Sequence, residues 1–317
     1  MIKFKKTVLA VALSAAVAPG VASAQNAAAD ADTIVATVGY ALTAYVENLV
    51  LQCTTNCGGT GNSLANLIQD QNAGVVPNTL TGNDGNDTMD GGNGADTLNG
   101  GNGADTLDGE EDNDTVNGDA GNDVVSGGPG NDVVDGGADV DSVYGNHGAD
   151  TIRGGAGADS LWGGGGPDNI SGAEASPVDT SNDTLWGNGG ADTMYGYGGN
   201  DTLWGGTAND TLWGGAGNDV LRPGDGTDQA NGEAGDDTLW VEFGYGGDTL
   251  NGGTHTTLDK VYLNVDSSNT QVVVNKGTAG DGNGTIVFTD TQGVAHTYTL
   301  TGIETVDFAT GTDVTSF

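Results

Sequence analysis

The sequence predicts an all-β fold of the solenoid type, and three observations carry that prediction. Residues 82–171 divide without gaps into ten nonapeptides, among them GGNGADTLN and GGAGADSLW, each opening on glycine, with aspartate sixth and an aliphatic residue or methionine eighth. A fixed short period sets the architecture before any local propensity does, because each unit can bury its apolar side only against neighbouring copies. Glycine supplies 59 of 317 residues, well above the usual share of about 7% and without the three-residue period of collagen. The eighth residue lies between mostly polar neighbours, the alternation of a strand with one buried face.

The sixth position is held by Asp87, Asp96, Asp105, Asp114, Asp123, Asp132, Asp141, Asp150, Asp159 and Asp168, and then by Asp183, Asp192, Asp201, Asp210, Asp219, Asp228 and Asp237. Two imperfect repeats place Asp248 and Asp259 in the same role. This pattern, GGxGxDxUx with U apolar, resembles the calcium-binding nonapeptide of the RTX (haemolysin-type) family. The resemblance implies a parallel β-roll in which two nonapeptides complete one coil, the first six residues of each turning and the last three forming a strand. It also implies multiple Ca2+ ions between neighbouring turns, held by aspartate carboxylates and glycine-region carbonyls.

The residue types suit that role. Calcium takes six to eight oxygens at about 2.3–2.6 Å, more than one nonapeptide offers. Glycines at positions one, two and four permit backbone angles closed to other residues. Leu98, Leu107, Val116, Val125, Val134, Val143, Ile152, Leu161 and Ile170 are the expected core. One sizeable apolar side chain per nine residues cannot offset an ordering cost of roughly 1–2 kcal/mol per residue. Calcium binding and folding are therefore expected as one event. Asp112, Asp139 and Ala208 at position four, and Pro223 at position one beside Arg222, mark the expected weaker sites.

In chain order, residues 1–24 read as a Sec signal peptide: Lys3, Lys5 and Lys6, an apolar run at 8–18, and Ala22-Ser23-Ala24 as the cleavage site. That run is too short for a membrane span, and nothing later approaches twenty apolar residues. The mature chain is expected to be secreted, with periplasmic retention as the alternative. The ending Asp313-Val314-Thr315-Ser316-Phe317 pulls the other way, because many RTX proteins leave by an uncleaved C-terminal signal.

Residues 25–81 are the predicted N-terminal β cap with degenerate repeats. TIVATVGYALTAYVENLVLQ alternates loosely, as short strands do, and GTGNSLANLI resembles the first turns of RTX arrays. Asn66 and Asn78 fall near or at the acidic position and bring no charge. Cys53 and Cys57, the only cysteines, predict a small disulfide loop in an exported chain. A zinc site there lacks ligands, since His147, His255 and His296 are distant in sequence. The calcium-binding roll is predicted over residues 82–260. It is interrupted at 172–186, where fifteen residues stand for nine and AEASPVDT is expected to loop out. Residues 261–317 are the expected C-terminal β cap, with VYLNV, TIVFTD, HTYTL and ETVDF as strands.

Lys plus Arg number 7 against 44 acids, a net charge of −37. Such a chain repels nucleic acid and anionic membranes and stays expanded until cations neutralise it. Position nine carries most of the aromatic residues. If repeats alternate between two sheets, Tyr144, Trp162, Trp186, Trp204 and Trp240 share one face, with Arg222 placed for a cation–π contact. The stripe either stiffens the roll by stacking or forms a partner-binding face. Threonine dominates position seven, with Val124, Val133, Asn169, Val220 and Gln229 interrupting it.

The expected function is that of a secreted calcium-binding repeat protein with a structural, adhesive or matrix role, whose partners are calcium and extracellular polysaccharide or cell-surface components. The alternatives are a glycan- or ice-binding module using the Trp and Thr faces, or a non-catalytic accessory to a secreted enzyme. No enzyme is expected, since neither HExxH nor GxSxG occurs and signal, array and tail leave no room for a catalytic module.

Overall fold

The computed structural model describes residues 9–11, 33–36, 39–71, 74–173, 179–241, 247–253, 259–263, 271–276, 284–289, 295–301, 303, 305–308 and 315–316. The basic start and cleavage site of the expected signal peptide lie outside them. Of its apolar run only Leu9–Val11 is described, as a strand parallel to Thr33–Ala36. The described elements are all β, and the architecture is the parallel β-roll that the repeats predict. They fall into two compact units, Met1–Gly145 and Asn146–Phe317.

In the first unit successive strands alternate between two parallel sheets. One runs from Thr33–Ala36 through Asn48–Leu51, Leu67–Asp70, Thr88–Asp90 and Thr106–Asp108 to Val124–Pro129. The other runs from Tyr40–Ala41 through Gly58–Thr60, Thr79–Asp84, Thr97–Asn102 and Thr115–Ala120 to Val133–Ala138. Within the array the register is constant, Leu98 opposite Val116 and Val116 opposite Val134, so identical positions stack.

The second unit repeats the plan, with Ser160–Gly165, Thr184–Gly189, Thr202–Thr207 and Val220–Asp225 in one sheet and Asn169–Ala173, Thr193–Gly198, Thr211–Ala216 and Gln229–Ala234 in the other. Across the interruption Trp162 pairs with Trp186 and Ile170 with Met194, so register survives the insertion. Most of AEASPVDT lies outside the described residues. Its described end is pinned: the Gly157 N–H donates to Asp179 Oδ2 at 3.0 Å.

The roll ends by reversing direction. Ala295–Thr301 still pairs parallel to Thr249–Asn251, but Gly284–Thr289 and then Gln271–Lys276 add antiparallel. In the other sheet Thr305–Phe308 pairs parallel to Lys260–Leu263 and is followed by antiparallel Thr315–Ser316.

The core is the eighth-position column. Leu98, Val116, Val125, Val134, Val143, Ile152, Leu161, Ile170, Leu185 and Leu203 are all 0% exposed. The strands are longer than expected: Thr97–Asn102 and its counterparts cover six residues, from position seven through position three of the next repeat. The physical reason is pairing between coils, for positions two and three bond to their counterparts, as Gly101 and Asn102 do to Asp119 and Ala120. Only positions four to six remain as turn.

Candidate metal site

Each sixth-position aspartate sits at a turn, immediately before a strand, and is swallowed by the coil that follows. Asp87, Asp105, Asp132, Asp141, Asp159, Asp192, Asp201, Asp210, Asp219, Asp228, Asp237 and Asp248 are 1% exposed; Asp96, Asp114, Asp123, Asp150 and Asp183 are 2%, and Asp168 is 3%. Their carboxylates form ladders along the roll. The Asp87 N–H donates to Asp105 Oδ1 at 2.7 Å, and the Asp105 N–H to Asp123 Oδ1 at 2.7 Å. In the second unit the Asp183 N–H donates to Asp201 Oδ1 at 2.8 Å, and the Asp201 N–H to Asp219 Oδ1 at 2.8 Å.

The irregular repeats keep this contact. The step lengthens from 18 to 24 residues at Asp159 to Asp183, to 20 at Asp228 to Asp248, and to 22 at Asp237 to Asp259. The ladder therefore fixes the placement of each aspartate more strictly than the nine-residue count does.

One carboxylate oxygen is used in this way and the other is not. Oδ2 of Asp87, Asp96, Asp105, Asp114, Asp123, Asp168, Asp183, Asp192, Asp201, Asp210, Asp219, Asp228 and Asp237 is buried and accepts no hydrogen bond. A buried acceptor left in that state is costly unless a cation meets it. The position-one glycines show where the space lies. A β-carbon on Gly109 would stand 2.5 Å from Asp114 Oδ2 and 2.5 Å from the Gly127 carbonyl oxygen. Two oxygens from different coils thus converge on the space that a side chain at Gly109 would fill. Among the described residues no three His, Cys, Asp or Glu side chains gather to hold a metal. A cation here would rest on single carboxylates joined by backbone carbonyls, a donor set of hard oxygens that fits calcium and not zinc.

The electrostatics agree. Burial pushes Asp114 up to about 8 against the opposing hydrogen bond from the Asp96 N–H, with the Asp96 and Asp132 charges adding to the rise. Burial likewise raises Asp183, Asp210 and Asp219 to about 8, and Asp87 to about 6. The four carboxyls raised to about 8 hold full negative charge at neutral pH only with help from outside the side chains.

The family model of the RTX calcium-binding nonapeptide repeat matches residues 77–107, 108–143, 144–174, 179–203, 195–230 and 204–239, which together span half of the chain. The chain belongs to the RTX calcium-binding repeat family. No curated protein matches it. The RTX repeat binds calcium, and its aspartates are the ones stacked here.

The geometry refines several expectations. Glycine is favoured at positions two and four by backbone angle, as at Gly101 (φ 107°) and Gly103 (φ 143°), although Asn83, Asn188 and Tyr197 also hold position two at positive φ; at position one it is favoured by space alone. Asp112, Asp139 and Ala208 hold position four at φ 83°, 82° and 87°, in the left-handed region that side chains tolerate poorly. Pro223 fills position one beside Asp228, and buried Val241 follows Trp240 where other repeats have glycine, so both bring a β-carbon where Gly109 leaves room. Among the eighteen predicted ligands, Asp183 and Asp248 lie in enlarged repeats, parts of which (174–178 and 242–246) are outside the described set.

In the cap the ladder continues with amides. The Asn66 N–H donates to Asp87 Oδ1 at 2.7 Å, and the Asn78 N–H to Asp96 Oδ1 at 2.6 Å. Cys53 and Cys57 are joined in a disulfide. Cys57 stands one coil before Asn78: its carbonyl accepts from Thr79 N–H as the Asn78 carbonyl accepts from Thr97 N–H. The sequence carries no signal for that placement, because the coil between Cys57 and Asn78 is longer than the repeat.

On the outward face of the second unit, Trp162 stacks on Trp186 at 4.7 Å and Trp186 on Trp204 at 5.0 Å, with planes 2° and 3° apart. Arg222 continues the row, 5.9 Å from the Trp204 ring and 4.2 Å from that of Trp240. Tyr144, half-buried, belongs to the first unit. No described helix is long and apolar enough to cross a membrane.

Proposed function

We propose that this RTX protein is exported, that calcium drives its folding, and that its role is structural or adhesive at or beyond the cell surface, without catalysis of its own. The observation that supports this most is the ladder of aspartates whose Oδ2 atoms are buried and unpaired. Bound calcium supplies the positive charge that such buried carboxylates lack. The aspartates fix one oxygen to the preceding coil and aim the other into the space that position-one glycines leave open. Each site thereby ties two coils together, which is how local binding stiffens the roll.

Extracellular millimolar calcium would keep the fold assembled, whereas a low-calcium cytoplasm would keep the chain expanded for export. Detection of a mature N-terminus at Gln25 in culture medium would support this route; a chain retained in the cell with residues 1–24 attached would contradict it. The Trp row supports stiffening more than sugar stacking, because the rings of Trp162, Trp186 and Trp204 already cover one another's faces. A glycan array and an ice-recrystallisation assay separate the readings: binding lost in the triple Trp162, Trp186 and Trp204 alanine variant, with folding intact, favours the recognition face.

A further inference from the structure

The opposite sheet of the second unit carries a slot that the calcium columns do not use. Strands Thr193–Gly198, Thr211–Ala216 and Gln229–Ala234 lie side by side in register, Tyr195 opposite Trp213 and Trp213 opposite Asn231, Tyr197 opposite Gly215 and Gly215 opposite Glu233. The outward face is therefore a grid in which Gly215 is an empty square. Tyr197 stands on the coil before it, Glu233 on the coil after it, and Trp213 beside it on the same strand. The cavity measures about 390 Å³ and is lined by these residues with Tyr195, Ala216 and Ala234. Gly215 keeps it open: its φ is 112°, and a β-carbon there would collide with the Tyr197 carbonyl.

The walls specify the ligand. Tyr195 stacks on Trp213 at 4.6 Å with planes 4° apart, and the Tyr195 and Tyr197 ring centroids are 5.8 Å apart. Three electron-rich rings thus border the slot, and Glu233 is its only charged wall. Coils are about 4.8 Å apart, so Tyr197 and Glu233, two coils apart, leave room for one planar group between them. The molecule already solves the same problem internally. On the other sheet the Arg222 guanidinium occupies the step between Trp204 and Trp240. At the corresponding step after Trp213 the chain places Asn231 and leaves the neighbouring square vacant.

We infer that this slot binds the guanidinium of an arginine side chain carried by a partner polypeptide. The cation rests against the Trp213 and Tyr197 rings and donates hydrogen bonds to the Glu233 carboxylate. The net charge of −37 favours a cation and opposes ligands with a free carboxylate.

The test uses the full chain folded in excess calcium, with circular dichroism on the same samples so that folding and binding are read separately. Acetyl-arginine amide is titrated by calorimetry and by Trp fluorescence. Saturable binding is expected, weakened about tenfold or more by Tyr197→Asn and by Glu233→Gln. Asparagine already stands at the equivalent position with positive φ at Asn83, Asn146 and Asn188, so Tyr197→Asn folds. Acetyl-citrulline amide, of the same shape without the charge, binds at least tenfold more weakly, and so does acetyl-arginine with its free carboxylate, which cancels the cation. No saturable binding, equal binding of the citrulline analogue, or unchanged affinity in either variant overturns the inference. Acetyl-arginine binding as tightly as the amide overturns an internal polypeptide arginine as the source. In each case the calcium-dependent fold stands untouched.

Discussion

At the scale of the residue, each ladder aspartate is divided between two tasks, one oxygen for the preceding coil and one for the ion. Asp210 illustrates the consequence: its Oδ1 accepts the Asp192 N–H at 2.9 Å, while burial lifts its carboxyl to about 8. A carboxyl whose pKa rises on folding makes the folded state bind more protons than the unfolded one between the ordinary value near 3.8 and about 8. Metal-free stability must then fall as pH rises through that window. Far-UV circular dichroism in EDTA should therefore show more β signal at pH 5 than at pH 8, and calcium should reverse the order. Asp210→Asn keeps an oxygen for the ladder and drops the charge, so it should stabilise the metal-free fold and destabilise the calcium-bound one by on the order of 1–3 kcal/mol. Gly109→Ala places a methyl between Asp114 Oδ2 and the Gly127 carbonyl, whereas a β-carbon on Gly189 meets nothing closer than 3.6 Å. The first substitution should abolish calcium binding at its site and the second leave it intact, as calcium-titration calorimetry would read. The sixth aspartate and eighth apolar residue were legible in the sequence because each occurs once per repeat. The role of the first glycine was only half legible, since crowding by a neighbouring coil leaves no trace within one nonapeptide.

At the scale of the element, the array and its caps differ in what holds them. Array strands bury one eighth-position side chain per nonapeptide, while the first unit's opening coils bury Ile34, Leu42, Val46, Leu49, Leu51 and Ile68 and put Asn66 and Asn78 where carboxylates would repel. In chelator, amides of residues 40–71 should retain hydrogen-exchange protection that residues 82–171 lose. The Trp row is a second such element. Trp186 shares two stacking contacts, each worth about 0.5–1.5 kcal/mol, so Trp186→Ala should lower the calcium-bound denaturation midpoint more than Trp213→Ala, which breaks the single stack on Tyr195. Sheet alternation made the Trp162, Trp186, Trp204, Arg222 and Trp240 row predictable from period alone. The antiparallel turnaround through Gly284–Thr289 and Gln271–Lys276 was not, because outside the repeats nothing in the strand residues fixes their direction.

At the scale of the molecule, 44 acids against 7 Lys and Arg describe a chain that cannot condense by apolar burial alone. Its aspartates become an asset only when cations join the coils, and then the same repulsion that opened the chain makes assembly cooperative and calcium-dependent. What such a fold contacts is decided on its outward grid, where period dictates the columns but single departures such as Gly215 and Glu233 dictate the site. The most direct measurement of the central claim is far-UV circular dichroism of the purified mature chain at neutral pH, first in EDTA and then through a calcium titration into the millimolar range. The account predicts a largely disordered array in EDTA and a cooperative gain of β signal with calcium, unmatched by magnesium at the same concentration. A fully formed β spectrum in EDTA, unchanged by calcium, would contradict it.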